Sequence, residues 1–276
     1  MTARPASRPE AQPSADRFLD VRGTQLRYRD EGRGEPLILL HGWTFDLEMW
    51  NPQVAILRDQ FRLVRLDRRG HGLSGGTPDA AADAADIEEL CRHLALDTVA
   101  LLGMSQGARA ALQFASRSAQ RVSALILDGP PALDDASDAD VPIAAFRDTA
   151  RRHGLEAFRR QWRAHALVQL CTEDRHLQDL VTAMIARYPG RDLLGPPASA
   201  AAQPIRLDRI LAPTLVLSGE FDLPSRLQSA RLLCTRLAHA EHVTIEEAGH
   251  LINLDQPARY AQLCRAFLTR HSTPNP

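Results

Sequence analysis

Three residue types that together make a hydroxyl nucleophilic occur in this chain in the order Ser, Asp, His, each just beyond a predicted strand. Ser105 stands in Gly103-Met104-Ser105-Gln106-Gly107, after Val99-Ala100-Leu101-Leu102 and before an Ala-rich, helix-favouring stretch. A serine on a sharp strand-to-helix turn projects its hydroxyl above the sheet edge, and glycines two positions to either side let strand and helix approach closely. Serine is a weak nucleophile at neutral pH and needs a general base within hydrogen-bond reach. Of the ten histidines, His250 alone combines a post-strand loop near the C-terminus with a glycine directly before it. The imidazole needs an acid to fix its tautomer, and Asp222 follows the run Thr214-Leu215-Val216-Leu217-Ser218-Gly219. Asp222 also suits the cap of a helix beginning near Pro224. Glu220, two positions earlier, and Asp128, ending the strand Ala124 to Leu127, are rival acids. A tetrahedral intermediate formed at Ser105 carries an oxyanion, for which the backbone N–H of Gln106 is the first donor.

These groups converge only if the intervening elements form a parallel sheet, whose sites gather at the carboxyl ends of its strands. The patterning supplies one. Entry strands near Phe18 to Val21 and Gln25 to Asp30 flank the turn Arg22-Gly23-Thr24. Strands Leu37 to Leu40, Arg62 to Asp67, Thr98 to Leu102 and Ala124 to Leu127 then alternate with helices near Trp50 to Arg58, Asp83 to Leu94 and Gln106 to Ser116. A short, fully apolar strand such as Leu37 to Leu40 is buried on both faces. The rhythm stops at Asp128-Gly129-Pro130-Pro131. Helical segments near Val141 to Arg152, Leu155 to Val168 and Glu173 to Ala186 follow, and alternation resumes with the strand at Leu215, a helix Ser225 to Leu237, a strand His242 to Glu246 and a helix Pro257 to Arg270.

The chain from about Phe18 to Arg270 resembles the α/β-hydrolases of the lidded, esterase-like kind. The resemblance rests on His41-Gly42-Trp43, Asp67-Arg68-Arg69-Gly70-His71-Gly72-Leu73-Ser74, the Gly103 to Gly107 elbow, and the loops of Asp222 and His250. It implies a mostly parallel twisted sheet flanked by helices, with a core of residues 17–131 and 207–271, a helical lid insertion at 132–206 and a tail at 1–16. It also implies that the backbone N–H of Trp43 is the second oxyanion donor, and that some relatives take the acid from the strand ending here at Asp128. A serine at the elbow argues against epoxide opening and halide displacement, for which relatives use a carboxylate there. The expected reaction is hydrolysis of a carboxylic ester of a small to medium, fairly apolar substrate through an acyl-enzyme. A lactonase, a carbon–carbon bond hydrolase and, in a different class, a slowly turning receptor for a small molecule are the alternatives.

The composition agrees. A chain of 276 residues fits one domain of this kind, and a net charge of −1 offers no basic field for nucleic acid. No segment approaches the roughly 18 uninterrupted apolar residues of a membrane span, and the Pro-, Ala-, Ser- and Arg-rich residues 1–16 lack the apolar centre of a secretory signal and read as disordered. Cys91, Cys171, Cys234 and Cys264 are far apart, without a C-x-x-C pair, so neither a zinc site nor a disulfide framework is expected. A cytoplasmic monomer or homodimer acting on a small molecule, without metal or cofactor, is the expectation. Phe45 and Leu47, after the Trp43 loop, and Phe158 and Trp162 in the insertion are the candidate pocket walls. The other insertion apolars read as packing, His41 and His71 as loop braces, and the run Arg151, Arg152, Arg159, Arg160 and Arg163 as a solvated helix face.

Overall fold

A computed structural model describes residues 14–132, 140–196 and 204–272. Its centre is an eight-stranded sheet in the order β1-β2-β4-β3-β5-β6-β7-β8. The strands are β1 (Arg17–Val21), β2 (Thr24–Gly32), β3 (Glu35–Leu40), β4 (Phe61–Leu66), β5 (Val99–Met104), β6 (Val122–Asp128), β7 (Thr214–Gly219) and β8 (Ala240–Ile245). β1 and β2 join antiparallel, as does β2 to β4, while every pairing from β4 through β8 is parallel. Every residue of β5 and β7 is buried, in keeping with the apolar sequence of β5 and the Leu215–Leu217 run of β7. The polar β8 is the partly exposed edge.

The helices are α1 (Asn51–Leu57), α2 (Asp83–His93), α3 (Gln106–Arg117), α4 (Ile143–His153), α5 (Leu155–Arg163), α6 (Arg175–Arg187), α7 (Arg191–Leu194), α8 (Pro224–Arg236), α9 (Ile252–Asp255) and α10 (Pro257–His271). One apolar cluster joins Ile38, Leu101 and Leu125 of the sheet to Ile87, Leu112 and Leu233 of α2, α3 and α8. The cluster on the opposite face takes in α1, α10 and the helical insert α4–α7, through Leu57, Phe267, Phe158 and Tyr188.

Local chemistry explains where the elements depart from the sequence expectation. The helix expected from Leu155 to Val168 ends at Arg163, and a 3-10 turn covers Ala166–Val168. His165 causes the break: its backbone is extended, its ring accepts the Leu167 N–H, and the ring stacks on Trp162 at 4.7 Å between centroids. α6 begins two residues later than expected because the Asp174 side chain caps the N–H groups of His176 and Leu177. The expected tail lies outside the described residues up to position 13, whereas Asp16 is fixed by Arg27 and Arg29 at 2.9 and 2.6 Å. Among the described residues, no helix is long and apolar enough to cross a membrane.

Candidate active site

Ser105 sits between β5 and α3 with φ +52° and ψ −115°. A left-handed φ at a non-glycine residue costs of order 1–3 kcal/mol and persists only where the surroundings enforce it. Here the enforcement is steric. A Cβ on Gly103 would lie 2.3 Å from the Gly107 carbonyl oxygen, and one on Gly107 would lie 2.1 Å from that of Leu40. The helix therefore starts directly against two strands, and the Ser105 N–H is tied to the Asp128 carbonyl at 2.8 Å.

His250 precedes α9 and is 4% exposed. Its Nδ1–H donates to Asp222 Oδ2 at 2.9 Å, while Asp222 Oδ1 accepts the Leu223 N–H at 2.7 Å. With Nδ1 carrying the proton, Nε2 is left as the basic nitrogen. Gly129, with φ +50°, lies against this pair: a Cβ there would be 2.8 Å from both Cε1 and Nδ1 of His250.

Of the rival acids, Glu220 points away and accepts the Glu247 N–H at 3.0 Å on an exposed loop. Asp128 is wholly buried, and neither its carboxyl oxygens nor the facing Tyr260 hydroxyl forms a well-aligned hydrogen bond. Burial pushes the Asp128 carboxyl well above the usual carboxylate range, with the nearby Asp222 charge acting in the same direction. The same burial, together with Asp128, raises the Tyr260 hydroxyl and the Cys264 thiol.

Ser105 and His250 line one cavity of about 270 Å³, together with Trp43, Gln106, Phe45 and Trp162. Two of the expected pocket walls do not reach it. Leu47 is fully buried beneath the loop, where its N–H donates to Asp67 Oδ1 at 2.7 Å and a 3-10 turn begins. Phe158 packs behind Trp43, with ring centroids 5.6 Å apart, and against Phe146 and Tyr188. Both are core residues: the turn at Leu47 draws its side chain under the loop, and Phe158, one turn before Trp162 on the buried face of α5, sits behind Trp43 rather than at the cavity.

The cavity wall also includes Met104, Val141, Ile143, Asp192 and Arg226, which the sequence reading did not single out. Met104 precedes Ser105 in the elbow, a position from which a wall residue was legible. Asp192 carries no such sequence signal, since its place depends on how α7 packs.

His41 braces its loop as expected, accepting the Arg68 N–H at 2.9 Å. His71 is held by the Arg69 carbonyl at 3.1 Å and lines the cavity as well. Burial, reinforced by the Arg68 charge, pushes His71 down to about 4, so it is neutral near pH 7. The cluster after β4 is also a brace: Arg68 pairs with Asp83 at 2.7 Å and Arg69 with Asp86 at 2.5 Å. Burial, followed by the Asp46 charge, raises Asp67 to about 6. Arg151 and Arg159 donate to backbone carbonyls of Leu193, Gly195 and Tyr188, so part of the expected solvated arginine face ties the insert together. Among the described residues, no group of three or more His, Cys, Asp or Glu side chains is arranged to hold a metal ion.

The family model described as alpha/beta hydrolase fold matches residues 35–257. A thermophilic esterase from Thermogutta terrifontis, solved with malate bound, superposes with a TM-score of 0.79 at 29% identity, covering 95% of this chain and 100% of its own. A putative 2-succinyl-6-hydroxy-2,4-cyclohexadiene-1-carboxylate synthase from Bacillus subtilis is 27% identical over 90% of this chain and 96% of its own length. The enol-lactonase from Burkholderia xenovorans LB400 shares the fold with a TM-score of 0.78 at 24% identity, covering 92% of this chain and all of its own.

Proposed function

The chain belongs to the alpha/beta hydrolase fold family, and on that premise we propose that it is a serine hydrolase cleaving a carboxylic ester of a small to medium, fairly apolar substrate. The observation that carries this reading is the buried His250–Asp222 hydrogen bond of 2.9 Å beside a cavity that His250 shares with the elbow serine. In the proposed reaction His250 Nε2 takes the Ser105 proton as Oγ attacks the ester carbonyl, and Asp222 stabilises the imidazolium that forms. The backbone N–H groups of Gln106 and Trp43 receive the oxyanion, each worth roughly 3 kcal/mol in the transition state. His250 then protonates the leaving alcohol and activates water against the acyl-enzyme.

Trp43, Phe45, Met104 and Trp162 give the cavity an apolar wall suited to an acyl chain, and the insert α4–α7 serves as its lid. The four cysteines are free, which fits the reducing cytoplasm. A lactone is the second reading, because a cavity of about 270 Å³ can enclose a small cyclic ester and the same acyl-enzyme would form from it.

Acid release in a pH-stat, measured on short and medium acyl esters, lactones and vinylogous diketones, tests the proposal. Turnover of esters is expected, with Ser105→Ala losing about 10⁴-fold or more of kcat while its melting temperature stays near that of the wild type. Preference for lactones would move the assignment to the second reading, and preference for diketones to carbon–carbon cleavage. Ester turnover that survives Ser105→Ala would refute the mechanism. A ligand that raises the melting temperature without any turnover would instead indicate a receptor.

A further inference from the structure

The loop that follows β3 is held from the helical insert at three positions, all through side chains. The Trp43 indole N–H is shared between Asp192 Oδ2 and the Tyr188 hydroxyl, at 2.9 Å each, and that hydroxyl in turn donates to Asp192 Oδ1. Thr44 is 1% exposed and has φ +66°, a conformation that β-branched residues rarely adopt, and its Oγ1 accepts the Trp162 indole N–H at 2.8 Å. Asp46 receives both Nε and an Nη of Arg187, at 2.5 and 2.9 Å. Helices α5, α6 and α7, with the residue following α6, therefore supply every one of these fasteners.

We infer that the insert sets the shape of the oxyanion hole as well as covering the cavity, with Asp192 acting as a positioning residue that fixes Trp43 through its indole. The inference rests on Trp43 serving as an oxyanion donor in the proposed reaction. Its physical basis is that the Trp43 N–H lies in the Gly42–Trp43 peptide, whose tilt follows the Trp43 backbone, and that backbone is held on its far side by the left-handed Thr44. Left to itself, the Trp43–Thr44 segment would relax toward a commoner backbone conformation. The indole hydrogen bonds of Trp43 and Trp162 and a forked ion pair oppose that relaxation. The Asp192 carboxylate is the acceptor common to the Trp43 indole and the Tyr188 hydroxyl, so its removal leaves both donors without it. Displacing the insert would break these bonds together, so opening of the cavity and loss of the aligned oxyanion donor are one event.

Labelling by a fluorophosphonate reports on this arrangement without requiring the natural substrate, because the phosphonyl oxygen occupies the oxyanion site as Ser105 is phosphonylated and fluoride leaves. Asp192→Ala is expected to slow labelling by about 10- to 100-fold, less than outright loss of a donor. Asp192→Asn keeps an acceptor for the indole and a partner for Tyr188, and is expected to recover most of the rate. Trp43→Phe keeps the backbone N–H but lacks the indole donor, and should match Asp192→Ala; it carries the test if Asp192→Ala does not fold. Wild-type labelling rates in both Asp192→Ala and Trp43→Phe would overturn the inference, as would equal slowing in Asp192→Ala and Asp192→Asn. Failure of the wild type itself to label at Ser105 would instead refute the serine-hydrolase reading.

Discussion

Two carboxyl groups stand at the ends of neighbouring strands, and the structure treats them in opposite ways. Asp222, just past β7, gives one oxygen to the His250 imidazole and the other to the Leu223 amide. Asp128, the last residue of β6, is sealed among Tyr260, Cys264 and the sheet without a well-aligned partner for either oxygen. A carboxylate is useful to an imidazole only when it remains ionised as the imidazole gains its proton, and donors directed at its oxygens hold it in that state. A carboxyl as deeply buried as Asp128, faced by the Tyr260 hydroxyl alone, is pushed toward its protonated form instead. Strand-end position is thus insufficient to assign the acid; the hydrogen bonds around each carboxyl separate the two.

The largest expected effect that follows from this contrast is at Asp222. Asp222→Asn should lower kcat by about 10⁴-fold, because an amide can donate to Nδ1 and stabilise the wrong tautomer. Asp128→Asn should leave kcat within about threefold of wild type. Steady-state kinetics on the preferred ester would read both, and the reverse ranking would transfer the acid role to Asp128.

A smaller loss is expected at the glycine between them. Gly129→Ala places a methyl 2.8 Å from two atoms of the His250 ring and forces alanine to φ +50°. The ring must move by part of an ångström, and misplacement on that scale costs a catalytic site about 10- to 100-fold. The loss should fall mainly on kcat, since Gly129 does not line the cavity wall where an acyl chain would lie. An unchanged kcat would mean that the imidazole tolerates displacement and that its fixed geometry is not what the Asp222 bond supplies.

The same contrast explains what the sequence could disclose. Strands such as Leu37 to Leu40 and Leu215 to Leu217 announce themselves because a strand buried on both faces must be apolar at every position. The elbow is legible because Gly103 is dictated by a contact with Gly107, four residues along the chain, and the spaced pair shows in the sequence although the contact that requires Gly107 is with Leu40 of β3. Asp222 and Asp128 were both visible as strand-end acids, with their ranking open, because the facing residues Tyr260 and Cys264 come from α10, more than 130 residues beyond Asp128. Asp192 was not visible, because its bond to Trp43 depends on the packing of one short helix in the insert. Leu47 and Phe158 were misplaced for the same reason: an apolar residue beside a loop or on an amphipathic helix can face the cavity or the core, and only the third dimension chooses. His165 ended a helix that its sequence pattern would have continued, by using its ring as a cap.

Asp128 itself can be probed through stability. Burial raises its pKa in the folded chain well above the 3.8 of an unperturbed aspartate. Below that lower value, folded and unfolded chains both hold the proton, and the stabilising contribution of the neutral acid is fully present. As pH rises, the unfolded chain releases the proton first while the folded chain retains it, so stability is lost progressively until the folded pKa is reached. Asp128→Asn cannot ionise in either state and escapes this loss. Relative to wild type, the variant should therefore gain up to about 1.4 kcal/mol per pH unit above pH 4, as long as the folded acid stays protonated. Thermal melts of the two proteins at pH 5, 6, 7 and 8 would show the gap in melting temperature widening in favour of the variant, by roughly 2–4 °C for each kcal/mol in a chain of this size. A gap that narrows or reverses with rising pH would mean that Asp128 is ionised and stabilised by donors when folded, which would make the two strand-end carboxylates alike.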